Sequence, residues 1–173
     1  MYFKTALITA SAMFLMTGPA MAAAAPTDPQ IAHIAYTAGN IDIAAGKQAL
    51  AKSHNKTIRS FAEEMVRDHT AVNDKALALV KKLHVTPEAN PTSASLTKDA
   101  DATRAKLSHL NGAAFDRAYI DNEVAYHKTV NGALETTLIP NAKNAELKSL
   151  LQTGLTLFRE HQAHAEQVAK DLK

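Results

Sequence analysis

The stretch FAEEMVRDHTAVNDKALALVKKL, residues 61–83, predicts one long amphipathic helix. Its apolar residues recur at spacings of three and four, as on the buried face of a helix: Phe61, Met65, Val72, Ala76, Leu79 and Leu83. The step from Met65 to Val72 falls on His69, so one imidazole interrupts the apolar face. A fold that buries this face must therefore also accommodate His69.

The same periodicity continues outside this stretch, and no strand pattern competes with it. We expect helices over about 29–52, 55–84, 113–138 and 142–171, with a short helix over 96–110 and Pro140 ending the third long helix. The segment 85–112 is long enough to traverse a bundle, which would leave the second and third long helices parallel. The predicted fold class is therefore all-α: a ferritin-like four-helix bundle with a long crossover, containing a short helix, between helices two and three.

The N-terminal 22 residues have the pattern of a signal peptide. Lys4 precedes an apolar run over 6–16, and Ala20-Met21-Ala22 forms a small-x-small cleavage site. We expect a signal peptide over 1–22, a flexible leader over 23–30 and the bundle domain over 31–173. Cleavage near Ala22 would give a periplasmic or secreted protein. The run is too short to span a bilayer, and we expect no transmembrane segment in the mature chain.

Composition excludes several classes of function. The net charge is +2, or +1 once Lys4 is removed, and no basic cluster favours nucleic acid as a partner. The absence of Cys excludes a disulfide framework and a thiolate metal site. A chain without these supports must rely on an apolar core, as a helical bundle does.

Two further histidines, His127 and His161, also fall within apolar helical faces. His69 and His127 each lie about 14 residues into their helices, and Asp42 reaches a similar level on the first helix. His161 lies about seven or eight residues away along the axis, on the order of 10 Å, and Glu123 could bridge that difference. Side chains that point inward from facing helices build the metal sites of bundles. The candidate metal ligands are His69, His127, His161, Glu123 and Asp42.

The type of metal follows from the residues present. No Asp or Glu is followed three residues later by His, so the Glu-x-x-His units of a diiron centre are absent from the sequence. A histidine-rich site favours copper or zinc over diiron. A metal-free alternative stays open, because a buried neutral imidazole needs only a hydrogen-bond partner. Two smaller expectations are that Gly154 faces His127, and that Glu160 and His164 form a surface pair.

The motifs together resemble a bacterial exported family, domain-of-unknown-function family 4142 (DUF4142), whose members are often labelled predicted outer-membrane proteins. The first half carries an acidic residue at Asp42, then A-K-S-x-N over 51–55 and F-A-x-x-M-V-x-D-H over 61–69. The second half carries F-D-x-x-Y-I over 115–120, V-x-x-H over 124–127 and L-x-x-x-H over 157–161. The resemblance implies a ferritin-like bundle and assigns the recurring histidines of the family to His69, His127 and His161. It implies no activity.

We therefore expect an exported, non-enzymatic bundle that binds a transition metal and acts in metal handling or envelope stress. The alternative is a structural or interaction protein of the envelope, with a metal-free histidine network and an envelope protein or a second copy as partner. A redox enzyme that uses the same pocket with a single copper or iron ranks last. The sequence also lacks a nucleophile motif and a phosphate-binding loop.

Overall fold

The computed structural model describes residues 24–172, and within that range it is helical without any strand. The elements in chain order are α1 (Asp28–Lys52), α2 (Lys56–Lys82), α3 (Pro91–Ser108), α4 (Gly112–Ala133), a π-helical turn (Leu134–Leu138), α5 (Ile139–Asn141) and α6 (Ala145–Asp171). The all-α prediction is confirmed. The expected signal peptide lies outside the described residues, and α1 begins at Asp28, inside the expected leader.

Asparagine side chains set the starts of three helices. Asn55 accepts hydrogen bonds from the backbone N–H groups of Thr57 and Ile58, and Asn144 does the same for Glu146 and Leu147. Asn90 caps α3, and Pro91 follows it as the first helical residue. The helix therefore begins at Pro91 and not near residue 96 as expected. These caps leave turns of only three residues between α1 and α2 and between the end of α5 and α6.

The four long helices follow the predicted topology, with α3 in the crossover. Phe61 and Tyr119 are neighbours with ring centroids 6.3 Å apart, and His69 and His127 are neighbours at 5.7 Å. His69 follows Phe61 by eight residues in α2, and His127 follows Tyr119 by eight residues in α4. The two helices therefore run parallel. The N-terminal part of α4 meets the C-terminal end of α6, where Arg117 donates to the carbonyls of Ala169 and Leu172, so α4 and α6 run antiparallel.

Pro140 does not end the third long helix where the sequence predicted. The backbone widens into the π-helical turn Leu134–Leu138 and then continues through Pro140 to Asn141. Proline lacks the N–H that an α-helix requires at that point, and π-turns inside helices are a recognised accommodation of such local misfits. The helix therefore reverses about three residues later than expected, at Ala142–Asn144.

The core consists of two apolar clusters with a polar layer between them. One cluster surrounds Phe61, Phe115 and Tyr119, and the other contains Ile31, Leu138, Leu147, Leu151 and Phe158 among its members. Each long bundle helix passes from one cluster to the other, and each contributes at least one buried polar side chain at the crossing point: Asp42, His69, Glu123, His127 and His161. The fold therefore gathers these side chains at one level of the bundle.

The second cluster borders a cavity of about 1010 Å³. Its lining is mostly apolar and includes Ile34, Val72, Leu134 and Phe158. Across the described range 24–172, no helix combines the length and apolar character needed to cross a membrane.

Candidate metal centre

Four different helices supply the polar layer. Asp42 comes from α1, His69 from α2, Glu123 and His127 from α4, and His161 from α6. Each side chain is at least 96% shielded from solvent, including the two carboxylates. We refer to these five residues as the inner cluster.

The three imidazoles form a near-equilateral triangle. Ring centroids are 5.7 Å apart for His69 and His127, 5.3 Å for His69 and His161, and 5.6 Å for His127 and His161. One ring nitrogen from each histidine can be chosen so that all three lie within 4.8 Å of one another. One ligand atom each from Asp42, Glu123 and His127 meets the same condition. His127 therefore joins a histidine-only group to a carboxylate-rich one.

Asp42 stands between two of the rings. Its Oδ2 lies 3.2 Å from His69 Nε2 and 3.4 Å from His127 Nε2. These distances are short enough for hydrogen bonds, but the angles do not suit them. Within residues 24–172, neither oxygen of Asp42 and neither of the two Nε2 atoms has a hydrogen-bond partner. The atoms are close without being bonded to one another.

The tautomer of His127 is determined by its own helix. Its Nδ1 lies 3.0 Å from the backbone carbonyl oxygen of Glu123, which can only accept a hydrogen bond. Nδ1 therefore carries the proton, and in the neutral ring the lone pair is on Nε2, facing Asp42. Metal-binding histidines are commonly oriented in this way, with the second nitrogen donating to a carbonyl or carboxylate.

His161 is oriented by a carboxylate on the neighbouring helix. Its Nε2 lies 3.2 Å from Asp68 Oδ2. Burial alone would raise the pKa of Asp68, but hydrogen bonds from Arg67 and His161 outweigh it and the pKa is lowered. Asp68 is thus ionised at neutral pH and accepts, so His161 Nε2 donates and the lone pair is on Nδ1. That Nδ1 is buried and has no hydrogen-bond partner among the described residues.

Burial also determines the charge of the inner cluster. Desolvation raises the pKa of Asp42 to about 7, and the adjacent carboxyl group of Glu123, which can share a proton with it, partly opposes the rise. The pKa of Glu123 is raised well above its usual value, first by desolvation and then by the charge of Asp42. Two carboxyl groups this close in a dry interior resist ionising together.

The histidines shift in the opposite direction. Desolvation lowers the pKa of His127 to about 4 and that of His69 well below its usual value. Desolvation also lowers the pKa of His161, although its hydrogen bond to Asp68 opposes the shift. All three rings are therefore neutral at pH 7, the protonation state in which imidazole binds a metal ion.

The distances around Asp42 suit a metal ion. Two ligand atoms that each lie about 2.0–2.1 Å from a tetrahedral ion are separated by about 3.3 Å. The separations from Asp42 Oδ2 to His69 Nε2 and to His127 Nε2 are 3.2 and 3.4 Å. Nitrogen and carboxylate oxygen are also the donor types that zinc and copper accept.

The structure brings together all five candidate ligands, but the expected axial gap of His161 is not observed. The chain reverses after α5 about three residues later than expected. In an antiparallel pair of helices this moves the facing position by about twice as much, so the residue of α6 opposite His127 shifts by about six, from Gly154 to the level of His161. Gly154 instead lies next to Phe158, whose ring a Cβ at Gly154 would meet at 3.4 Å. Gly154 makes no room for His127.

The expected surface pair of Glu160 and His164 is also replaced. His164 Nδ1 lies 2.7 Å from Glu64 Oε2 on α2. Sequence reasoning missed three contributors: Glu64, Asp68 and Phe158, whose ring stacks on His69 with centroids 4.6 Å apart. For Asp68 the available signal was its position in the F-A-x-x-M-V-x-D-H motif over 61–69, directly before His69.

A helical bundle with inward histidines and carboxylates at mid-height defines a class: all-α bundle proteins with a candidate metal centre in the core. Comparison with protein families matches residues 15–168 to "Domain of unknown function (DUF4142)". The chain belongs to this family. Searches of curated proteins and of solved structures found no match.

Proposed function

We propose that this protein binds a transition-metal ion in the inner cluster, through His69, His127 and His161, with Asp42 as a carboxylate ligand and Glu123 beside it. The observation that carries the proposal is the concentration of polar atoms without hydrogen-bond partners at one buried point. Among the described residues these are both side-chain oxygens of Asp42 and of Glu123, both ring nitrogens of His69, His127 Nε2 and His161 Nδ1. Native interiors seldom leave buried polar atoms unsatisfied.

A cation would satisfy these atoms where a proton network does so poorly. The lone pair of His127 Nε2 lies 3.4 Å from Asp42 Oδ2, and the two repel each other whenever the carboxylate is ionised. Protonating the ring is opposed by burial, which keeps its pKa near 4. An ion between the two would turn this repulsion into two ligand bonds and would release the protons held by the carboxyl groups.

The donor set favours copper or zinc. Three neutral imidazoles with one carboxylate form a nitrogen-rich site, whereas a diiron centre needs mostly carboxylates. The burial of the site favours storage or buffering over turnover, because a substrate would have no surface access to the ion. The signal-peptide pattern over 1–22 favours a location in the periplasm or outside the cell. The role proposed there is metal handling or a part in envelope stress.

The test is metal analysis of full-length protein expressed with its own N-terminus and purified without a polyhistidine tag. The wild type, incubated with Zn²⁺ or Cu²⁺ and desalted, should retain one ion per chain. His69→Ala and His127→Ala should lose it, and the conservative variant His127→Gln should lose it while remaining folded by circular dichroism. His54→Ala, which changes an exposed histidine in the α1–α2 turn, is the matched control and should retain the ion.

A wild-type protein that is folded but retains no ion would contradict the proposal. The metal-free envelope role would then stand, and the histidine variants should change only stability. Sequencing the N-terminus of the purified chain tests the export proposal separately, since cleavage near Ala22 should leave Ala23 as the first residue.

A further inference from the structure

A second group of ligand-type side chains lies on the outer side of His161, along the seam between α2 and α6. Glu64 and Asp68 are one turn apart on α2, and His161 and His164 are one turn apart on α6, so each pair shares a face of its helix. We refer to Glu64, Asp68, His161 and His164 as the outer cluster. His161 is the one residue that belongs to both clusters.

The outer cluster has the spacing of a metal site. One ligand atom each from Glu64, Asp68 and His161 can be chosen so that all three lie within 4.8 Å of one another. Across the seam, His161 Nε2 is 3.2 Å from Asp68 Oδ2, and His164 Nδ1 is 2.7 Å from Glu64 Oε2. Two imidazoles and two carboxylates form a donor set suited to a divalent transition metal.

Exposure falls in steps from the outer cluster to the inner one. The side chains are 43% exposed at His164, 30% at Glu64 and 19% at Asp68, and then 1% at His161. An ion that reaches the inner cluster must cross from solvent into an almost closed layer. The outer cluster is an ordered series of ligands along one such route.

We propose that the outer cluster captures a divalent transition-metal ion at the surface and passes it to the inner cluster through His161, which binds the ion with Nε2 outside and with Nδ1 inside. This inference rests on the proposed metal site and adds its route of loading. Glu64 and His164 serve only the outer position. Asp68 is an outer ligand during capture and a hydrogen-bond acceptor for His161 after transfer.

The chemistry of one imidazole makes the two positions alternatives. A neutral ring has a single lone pair, so a ring bound to metal through Nε2 carries its proton on Nδ1, and the reverse holds after transfer. Moving the ion inward therefore releases the proton from Nδ1 and returns one to Nε2, where Asp68 accepts its hydrogen bond. The chain should hold one ion at equilibrium, with the second position used only in transit.

Arg67 is the competing cation at the outer cluster. Its guanidinium makes two hydrogen bonds to Asp68, at 2.7 and 3.1 Å, but the side chain is largely exposed. Exposed ion pairs of this kind are weak and exchange readily with solvent ions. Arg67 can therefore leave Asp68 when a divalent ion arrives, and removing it should not slow uptake.

The experiment measures how fast the full-length metal-free protein takes up Co²⁺, which reports its nitrogen and oxygen ligands by visible absorbance. Glu64→Gln and His164→Gln should slow uptake about tenfold or more, in line with the effect of a site that concentrates ions at a cleft mouth. The final absorbance and the ratio of one ion per chain should be unchanged. Glu63→Gln removes the same charge from an exposed neighbouring position on α2 and should match the wild type.

The outcomes separate this inference from the proposed function. Uptake at the wild-type rate in both outer variants would overturn the outer site and leave the inner site standing. Two ions per chain at equilibrium would overturn the shared use of His161. Failure of the wild type to bind any ion would overturn both proposals together.

Discussion

The ring of Phe158 lies parallel to that of His69, with centroids 4.6 Å apart and planes 8° apart. This contact fixes the one imidazole of the inner cluster whose two nitrogens both lack hydrogen-bond partners in residues 24–172. Phe158→Ala should lower the free energy of unfolding by about 3 kcal/mol, the lower end for a buried phenylalanine, because Phe158 already borders a cavity. Urea denaturation of the metal-free protein measures this change in the free energy of unfolding.

Phe158→Leu is the matched control for this prediction. Leucine keeps most of the apolar volume but removes the flat stack on His69, so the loss should be about 1 kcal/mol. An equal loss in both variants would show that the aromatic contact itself matters more than the volume it fills.

The buried carboxyl group of Asp42 should make the metal-free protein less stable as pH rises. Its pKa is about 7 in the folded chain and near 3.8 in an unfolded one, so the folded state binds more protons between these values. The contribution of Asp42 to stability is complete below about pH 4 and is lost as pH rises to about 7. A pKa difference of this size corresponds to about 4 kcal/mol if Asp42 titrates alone.

The check compares wild type and Asp42→Asn by chemical denaturation from pH 4 to pH 8, with a chelator present. Stability of the wild type relative to the variant should fall across this range. The variant also removes the Asp42 charge that raises the pKa of Glu123, so the comparison reports the two coupled carboxyl groups together. Asp74→Asn, at an exposed position of α2, should track the wild type at every pH. A constant difference between wild type and Asp42→Asn would contradict the raised pKa.

Two helical glycines should respond oppositely to alanine. A Cβ at Gly39 would overlap the side chain of Asn73, which bonds Asn40 at 2.9 Å, whereas a Cβ at Gly132 would meet nothing within 4 Å. Gly39→Ala should therefore cost about 2 kcal/mol through overpacking, and Gly132→Ala should add about 0.5–1 kcal/mol through helix propensity. Thermal melts of the two variants provide the comparison, and a stabilised Gly39→Ala would show that Asn73 is free to move aside.

The sequence pattern predicted that His69 and His127 lie at the same height along the bundle axis. In two parallel helices that height depends only on the number of turns from each helix start. The equal eight-residue steps from Phe61 to His69 and from Tyr119 to His127 show why the count succeeded. Asp42 followed from the same arithmetic on α1.

The level of His161 could not be obtained in this way. It depends on where an antiparallel hairpin reverses, and each residue of error there moves the facing position by two. The π-helical turn before Pro140 and the late cap at Asn144 together moved the reversal by three residues. Neither is visible in apolar periodicity.

The partners of a surface-facing residue are also beyond the reach of periodicity. A helix pattern shows that Glu64 and Asp68 leave the apolar face, but it does not show which neighbouring helix they meet. In the fold they face α6, and that contact defines the environment of His161 and His164.

Asp68 should tune the inner site without being one of its ligands. Asp68→Asn can offer an amide N–H to His161 Nε2, which would draw the lone pair to that nitrogen and leave a proton on Nδ1, facing the inner cluster. Zn²⁺ affinity should then fall about 10- to 100-fold, as when other carboxylate partners of metal-binding histidines are removed. Competition titration against a chromophoric chelator measures it, with Glu63→Gln as the control for lost charge. Unchanged Zn²⁺ affinity in Asp68→Asn would show that the tautomer of His161 is set by something other than this carboxylate.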